Sequence, residues 1–166
     1  MRYRLNKKHI LSLVLVLVAV WVINFFNKSE IKGRVVSIQD GDTITVLRGT
    51  TTYKIRLFGV DCPEKGQAFG NVARQFTSDL AFNKAVKVKY TERDQYKRYL
   101  GTVYIGETNL NKELVRAGLA WHYKEYSDDP VMAALEIKAR LKKKGLWSDP
   151  KPIAPWEFRR LKREKT

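Results

Sequence analysis

The sequence predicts an α+β domain: a small five-stranded barrel with about three helices, preceded by an apolar N-terminal span. Three observations carry this. Five short runs rich in β-branched and aromatic residues are separated by Gly, Asp and Thr turns. Segments of helical spacing are inserted among these runs and appended after them. A stretch without charge, residues 10–26, stands apart from both. Five strands with helices inserted and appended fit a closed or partly closed barrel of the OB type.

The elements follow in order. A basic flank at 1–9 contains Arg2, Arg4, Lys7 and Lys8, and "ILSLVLVLVAVWVINFF" (10–26) follows it. As a helix this run is about 25 Å long, slightly short of a hydrocarbon core. Trp21, Phe25 and Phe26 at the interface and a snorkelling Lys28 make up the difference. The expectation is a transmembrane anchor with its basic flank in the cytoplasm and the main domain outside. A cleaved signal and a secreted product is the alternative, although "INFFNKSE" offers no small-x-small cleavage site.

A linker at 27–32 leads into the main domain, 33–148. "GRVVSI" (33–38), "TITVL" (43–47) and "TYKIRLFGV" (52–60) read as strands, with "RGTT" (48–51) as a hairpin loop. Ala68, Val72, Phe76 and Leu80 recur every four residues and predict a helix whose Leu, Val and Phe positions are core. "AVKVKYT" (85–91) and "YLGTVYI" (99–105) supply two more strands. A short helix starts near Asn109 and stops at Gly118. Another runs from a cap at Asp128 or Asp129, with Pro130 in its first turn, to Gly145. Residues 149–166 form an extension, rich in proline and then basic.

The net charge of +15 points to a polyanionic partner, nucleic acid or anionic lipid. It is not confined to a terminus, because residues 31–166 hold 27 basic against 16 acidic residues. A hydrophobic content of 44% excludes a wholly disordered basic chain. The single cysteine, Cys62, excludes an internal disulfide.

Against this background two acidic knots stand out, "QDGDT" (39–43) and "RLFGVDCPE" (56–64). Each alone reads as a turn at a strand end. Together they bring Asp40, Asp42, Asp61 and Glu64 onto neighbouring strand edges, where like charges repel unless a cation lies between them. Oxygen ligands without imidazole favour a hard ion such as calcium or magnesium, and the spacing is not that of an EF-hand. Arg56 and Arg98 add planar guanidinium groups suited to phosphate. A cation, a carboxylate and two arginines are the parts required for phosphodiester cleavage.

From about Gly33 to Trp147 the chain resembles the staphylococcal nuclease (thermonuclease) family. The resemblance is carried by "DGDT" (40–43), "RLFGVDCPE" (56–64), "DQYKRYLG" (94–101) and "LNKELVRAGLAW" (110–121). It implies an OB-fold barrel with three helices and a calcium-dependent endonuclease acting on DNA and RNA. It further implies that Asp42, Asp61 and the backbone carbonyl of Cys62 ligate calcium, with Asp40 nearby. Glu64 would be the general base, and Arg56 and Arg98 would hold the scissile phosphate. Products would end in a 3′-phosphate and a 5′-hydroxyl. Tyr123 and Tyr126 are candidates for stacking on substrate, or else ordinary half-buried aromatics. Two positions depart from the family: Cys62 replaces the usual Thr or Ala, and Lys97 stands where a glycine usually precedes the arginine. No protein partner is expected, and a non-catalytic OB-fold nucleic-acid-binding module is the alternative function.

Overall fold

The computed structural model describes residues 12–18 and 30–164. The chain divides into two compact units, Met1–Glu30 and Ile31–Thr166. In the first, residues 12–18 are helical, with Leu13 to Val18 exposed. Among the described residues no helix is long and apolar enough to cross a membrane. The rest of the expected span at 10–26 lies outside them.

In the second unit the strands alternate inward and outward residues, except that a register shift between Val35 and Ser37 in the first strand lets both Val35 and Ile38 face the core. β1 (Glu30–Asp40), β2 (Thr43–Arg48) and β3 (Thr51–Leu57) turn Val35, Ile38, Ile44, Val46, Ile55 and Leu57 inward. β5 (Ala85–Arg93) and β6 (Tyr99–Ile105) add Val86, Val88 and Val103. Burying each such side chain is worth roughly 1.5–3 kcal/mol. Three minor strands, β4 (Val60–Asp61), β7 (Thr108–Asn109) and β8 (Trp121–His122), complete the set, with β4 pairing β8. The main sheet runs β3-β2-β1-β5-β6-β7, and a parallel pairing of β3 with β6 closes five strands into a barrel.

Two features of this barrel position the site. A register irregularity between Ile38 and Asp40 bends the end of β1 into the Asp40–Thr43 turn. The closing pair sets Arg56 opposite Leu100, two residues past Arg98, so both arginines lie at the same edge.

The helices are α1 (Gly70–Ala81), α2 (Leu110–Arg116), α3 (Pro130–Leu141) and α4 (Pro155–Glu164), with a 3-10 turn at Gly145–Ser148. α2 starts as expected, with the Asn109 side chain accepting from the Lys112 N–H. Asp129, the cap of α3, accepts from the Val131 and Met132 N–H groups ahead of Pro130.

The expected apolar faces need correction. α1 buries Ala73, Thr77 and Ala81, while Phe76 and Leu80 are only half-buried and Val72 is exposed. Small residues bring this helix close to the Gly41 turn, and the Thr77 hydroxyl donates to the Gly41 carbonyl at 2.5 Å. A Cβ on Gly41 would lie 2.8 Å from the Cys62 sulfur and 2.9 Å from the Ala73 Cβ, so only glycine fits. α3 likewise exposes Val131, Ile137 and Leu141 and buries Met132, Glu136 and Ala139. The helix at the C-terminus, α4, was not expected from the proline-rich and basic tail.

Asn111, fully buried on α2, ties these parts together. Its amide donates to the Phe58 and Gly101 carbonyls and its oxygen accepts from the Val103 N–H. The loop between β3 and β4 is thereby fastened to β6.

Candidate active site

A cleft of about 440 Å³ opens at the edge where β3 meets β6. Asp42, Arg56, Glu64, Arg98, Tyr123 and Tyr126, six of the eight residues proposed from the sequence, line it.

Asp42 at its floor and Asp61 behind the lining are both almost fully buried, and Arg56 lies between them. The guanidinium is 2.6 Å from Asp42 Oδ2 and 2.7 Å from Asp61 Oδ1, and it also donates to the Val60 carbonyl at 3.1 Å. Asp42 Oδ2 accepts a further bond from the Cys62 N–H at 2.6 Å, and Oδ1 accepts from the Thr43 hydroxyl. Burial pushes the Asp42 carboxyl up to about 7, with Asp40 and Asp61 adding to the shift and Arg56 opposing it. Against the cost of its own burial, Asp42 and Asp61 hold the Arg56 guanidinium above its ordinary value.

Cys62 is buried with its sulfur against the Gly41 turn and the core, outside the cleft lining. Burial, and then Asp42, raise its thiol well above the ordinary value, so it stays protonated and inert.

Glu64 and Arg98 stand higher, at the rim. Arg98 is held from below by Asp94, whose Oδ2 accepts from Nε at 2.8 Å and lies 2.7 Å from Nη2. The other Asp94 oxygen accepts from the Arg98 and Tyr96 N–H groups. Partial burial works against ionisation of Asp94, but these bonds outweigh it and hold its carboxyl below the ordinary value. Lys97, the expected departure before Arg98, takes a left-handed φ of 61°, which a glycine adopts without strain.

Tyr123 and Tyr126 meet edge to face at 4.9 Å, and Tyr126 is exposed. Tyr96 is exposed beside Arg98, with the guanidinium 5.3 Å from its ring centre.

One further contributor comes from the basic C-terminal extension. Arg159 on α4 reaches Asp61 Oδ2 at 2.9 Å and Glu64 Oε1 at 2.5 Å. The available signal was "PWEFRR" (155–160), in which Pro155 marks a helix start and the i, i+3 spacing puts Trp156 and Arg159 on one helix face.

A hard cation suits this donor set. The cleft lining presents the carboxylates of Asp40, Asp42 and Glu64 beside Arg56. Asp61 and the Cys62 thiol lie behind it, and the guanidinium shows that Asp42 and Asp61 converge on one positive charge. Among the described residues no three such side chains form a cage alone, so a cation here would also draw on backbone carbonyls and water.

Comparison with known proteins adds an independent line. Residues 54–149 match the family described as staphylococcal nuclease homologue. A protein of Escherichia coli O157:H7 named as an uncharacterized endonuclease is 44% identical over 135 residues, 81% of this chain and 88% of that one. A Haemophilus influenzae protein of the same name is 40% identical over 157 residues, 94% of this chain and 87% of its own. A Shigella flexneri protein named micrococcal nuclease is 43% identical over 149 residues, covering 83% and 86%.

Proposed function

We propose, from the premise that the chain belongs to the staphylococcal nuclease homologue family, that it is a calcium-dependent endonuclease of DNA and RNA. The observation that supports this most is the pairing of Asp42 and Asp61 through Arg56 beneath a rim carrying Glu64 and Arg98.

Asp42 and Asp61 would hold the cation, with the Cys62 carbonyl as a third donor. When bound, calcium would supply positive charge that favours the ionised form of Asp42 and would polarise a phosphate oxygen. Glu64 takes a proton from water as the water oxygen bonds to phosphorus. Arg98, pre-set by Asp94, and Arg56, whose two carboxylates would be shared with the cation, meet the charge growing on the phosphate oxygens. The bond between phosphorus and the 5′ oxygen breaks and that oxygen takes a proton from solvent water, leaving a 3′-phosphate and a 5′-hydroxyl. Tyr126, exposed beside Tyr123, offers a stacking face to the bases, Tyr123 backs it with one face already covered by Trp156, and the basic surface draws the strand in.

A binding module would use the aromatic rim and the basic surface but has no need of Asp42, Arg56, Asp61, Glu64 and Arg98 together. The apolar run at 10–26 behind its basic flank supports a domain tethered outside the cytoplasm, with no protein partner required. Fractionation with an alkaline wash checks the tether.

End-group analysis tests the chemistry. The full chain is incubated with DNA or RNA and calcium, and the 3′ ends are probed with a polymerase before and after phosphatase treatment. Ends that extend only after phosphatase are expected, and ends that extend at once would contradict the reading.

A further inference from the structure

α4 is not part of the barrel. Its only buried residue is Pro155, none of its residues belongs to either hydrophobic cluster, and it lies beyond the 54–149 segment that matches the family. Even so, it is fixed against the cleft at three points. Trp156 stacks on Tyr123 with ring centres 5.2 Å apart and planes 3° from parallel. The same indole meets Trp121 edge-on at 5.4 Å. Gln67 links the segment before the helix to the acidic knot, donating to the Ile153 carbonyl at 2.7 Å and accepting from the Glu64 N–H at 3.0 Å.

One turn beyond Trp156, this anchoring delivers Arg159 between two acids. Its Nη2 donates to Asp61 Oδ2 at 2.9 Å, and its Nη1 donates to Glu64 Oε1 at 2.5 Å and to Asp61 Oδ1 at 3.3 Å. Partial burial works against the charge, but Asp61 and Glu64 hold the guanidinium above its ordinary value. The planar fork is the one side chain that can span two carboxylates in a fixed geometry.

We propose that Arg159 is a positioning residue: by bridging Asp61 and Glu64 it sets the direction of the Glu64 carboxylate toward the water it activates. This rests on the reading of Glu64 as the general base. The Glu64 side chain is 35% exposed and sits near the negative charge of Asp61. Without the bridge, repulsion and its own rotational freedom turn it outward. With the bridge, one Glu64 oxygen is occupied and the other remains for water. Trp156, seated on Tyr123, keeps the arginine in reach, so the base is oriented from outside the barrel that carries it.

The test uses the full chain, single-stranded DNA and saturating calcium. Arg159→Ala lowers kcat by about 10- to 100-fold, the scale on which misplacing a reacting group acts. KM and the Kd for a phosphorothioate oligonucleotide stay at their starting values, and the variant remains folded with a melting temperature above the assay temperature although Asp61 loses one partner. Added guanidinium ion restores part of the rate, Arg159→Lys falls between, and Trp156→Ala changes kcat in the same direction by less. Because Arg159 acts through Glu64, the Arg159→Ala/Glu64→Gln double variant is no slower than Glu64→Gln alone. Full activity in Glu64→Gln would remove the base assignment and this proposal with it. An inactive Glu64→Gln beside an unaffected Arg159→Ala would overturn the proposal alone. So would multiplicative effects in the double variant, which would place Arg159 on the phosphate. A faster Arg159→Ala that binds calcium more tightly would make α4 a strap competing with the cation, and the proposal would fail.

Discussion

Asp42 and Arg56 meet at 2.6 Å on the floor of the cleft, with Asp61 2.7 Å away on the other side of the same guanidinium. Arg56 therefore touches both buried carboxyls, while Arg159 is a second partner of Asp61 alone. Its raised carboxyl, about 7 against 3.8 in the unfolded chain, makes Asp42 a proton acceptor on folding. Its contribution to stability is present below about pH 4 and is lost as pH rises toward 7. In excess chelator, stability falls across that window by on the order of a few kcal/mol relative to Asp42→Asn. Urea unfolding at a series of pH values measures it, and calcium flattens the slope by favouring the ionised form.

Removing Arg56 leaves both acids buried without their shared partner. Arg56→Met costs about 3–5 kcal/mol at pH 8, where Asp42 is ionised, and less at pH 5. Chemical denaturation at the two pH values separates this charge effect from simple loss of packing.

At the rim, Arg98 owes its pose to Asp94, which accepts from both its side chain and its backbone. Arg98→Lys keeps the charge but loses the planar fork and lowers kcat by about 10²-fold or more. Asp94→Asn lowers kcat by a smaller factor, since it acts only through Arg98. Steady-state kinetics on one oligonucleotide compares the two.

Lys97 tests the backbone at the same place. Its φ of 61° is unfavourable for a residue with a Cβ and worse for a β-branched one. Lys97→Val costs about 1–2 kcal/mol of stability, and Lys97→Gly costs nothing. Thermal unfolding of the two variants is the measurement.

Much of the barrel was legible because strand alternation survives as a local pattern. The strand expected at 99–105 is Tyr99–Ile105, and that at 43–47 is one residue shorter than Thr43–Arg48. The segment expected as one strand at 52–60 instead breaks after Leu57, because Phe58 and Gly59 turn the chain and only Val60 and Asp61 pair with β8. Helix faces were harder to read. In α1 the inward residues are Ala73, Thr77 and Ala81, whose value lies in close approach to the Gly41 turn and not in hydrophobicity, so the apolar count favoured Val72 on the wrong face. The cleft residues were legible as motifs, because Asp42, Arg56 and Glu64 lie within short segments. Arg159 was not, since its partner Asp61 is 98 residues away and only the fold of α4 onto Tyr123 brings them together.

The most direct measurement is cleavage of single-stranded DNA by the full chain as calcium is titrated and then removed with excess chelator, beside Glu64→Gln. The account predicts cleavage that saturates with calcium, stops with chelator and drops by at least about 100-fold in the variant. Tight binding without cleavage by either protein, or equal cleavage by both, would contradict it.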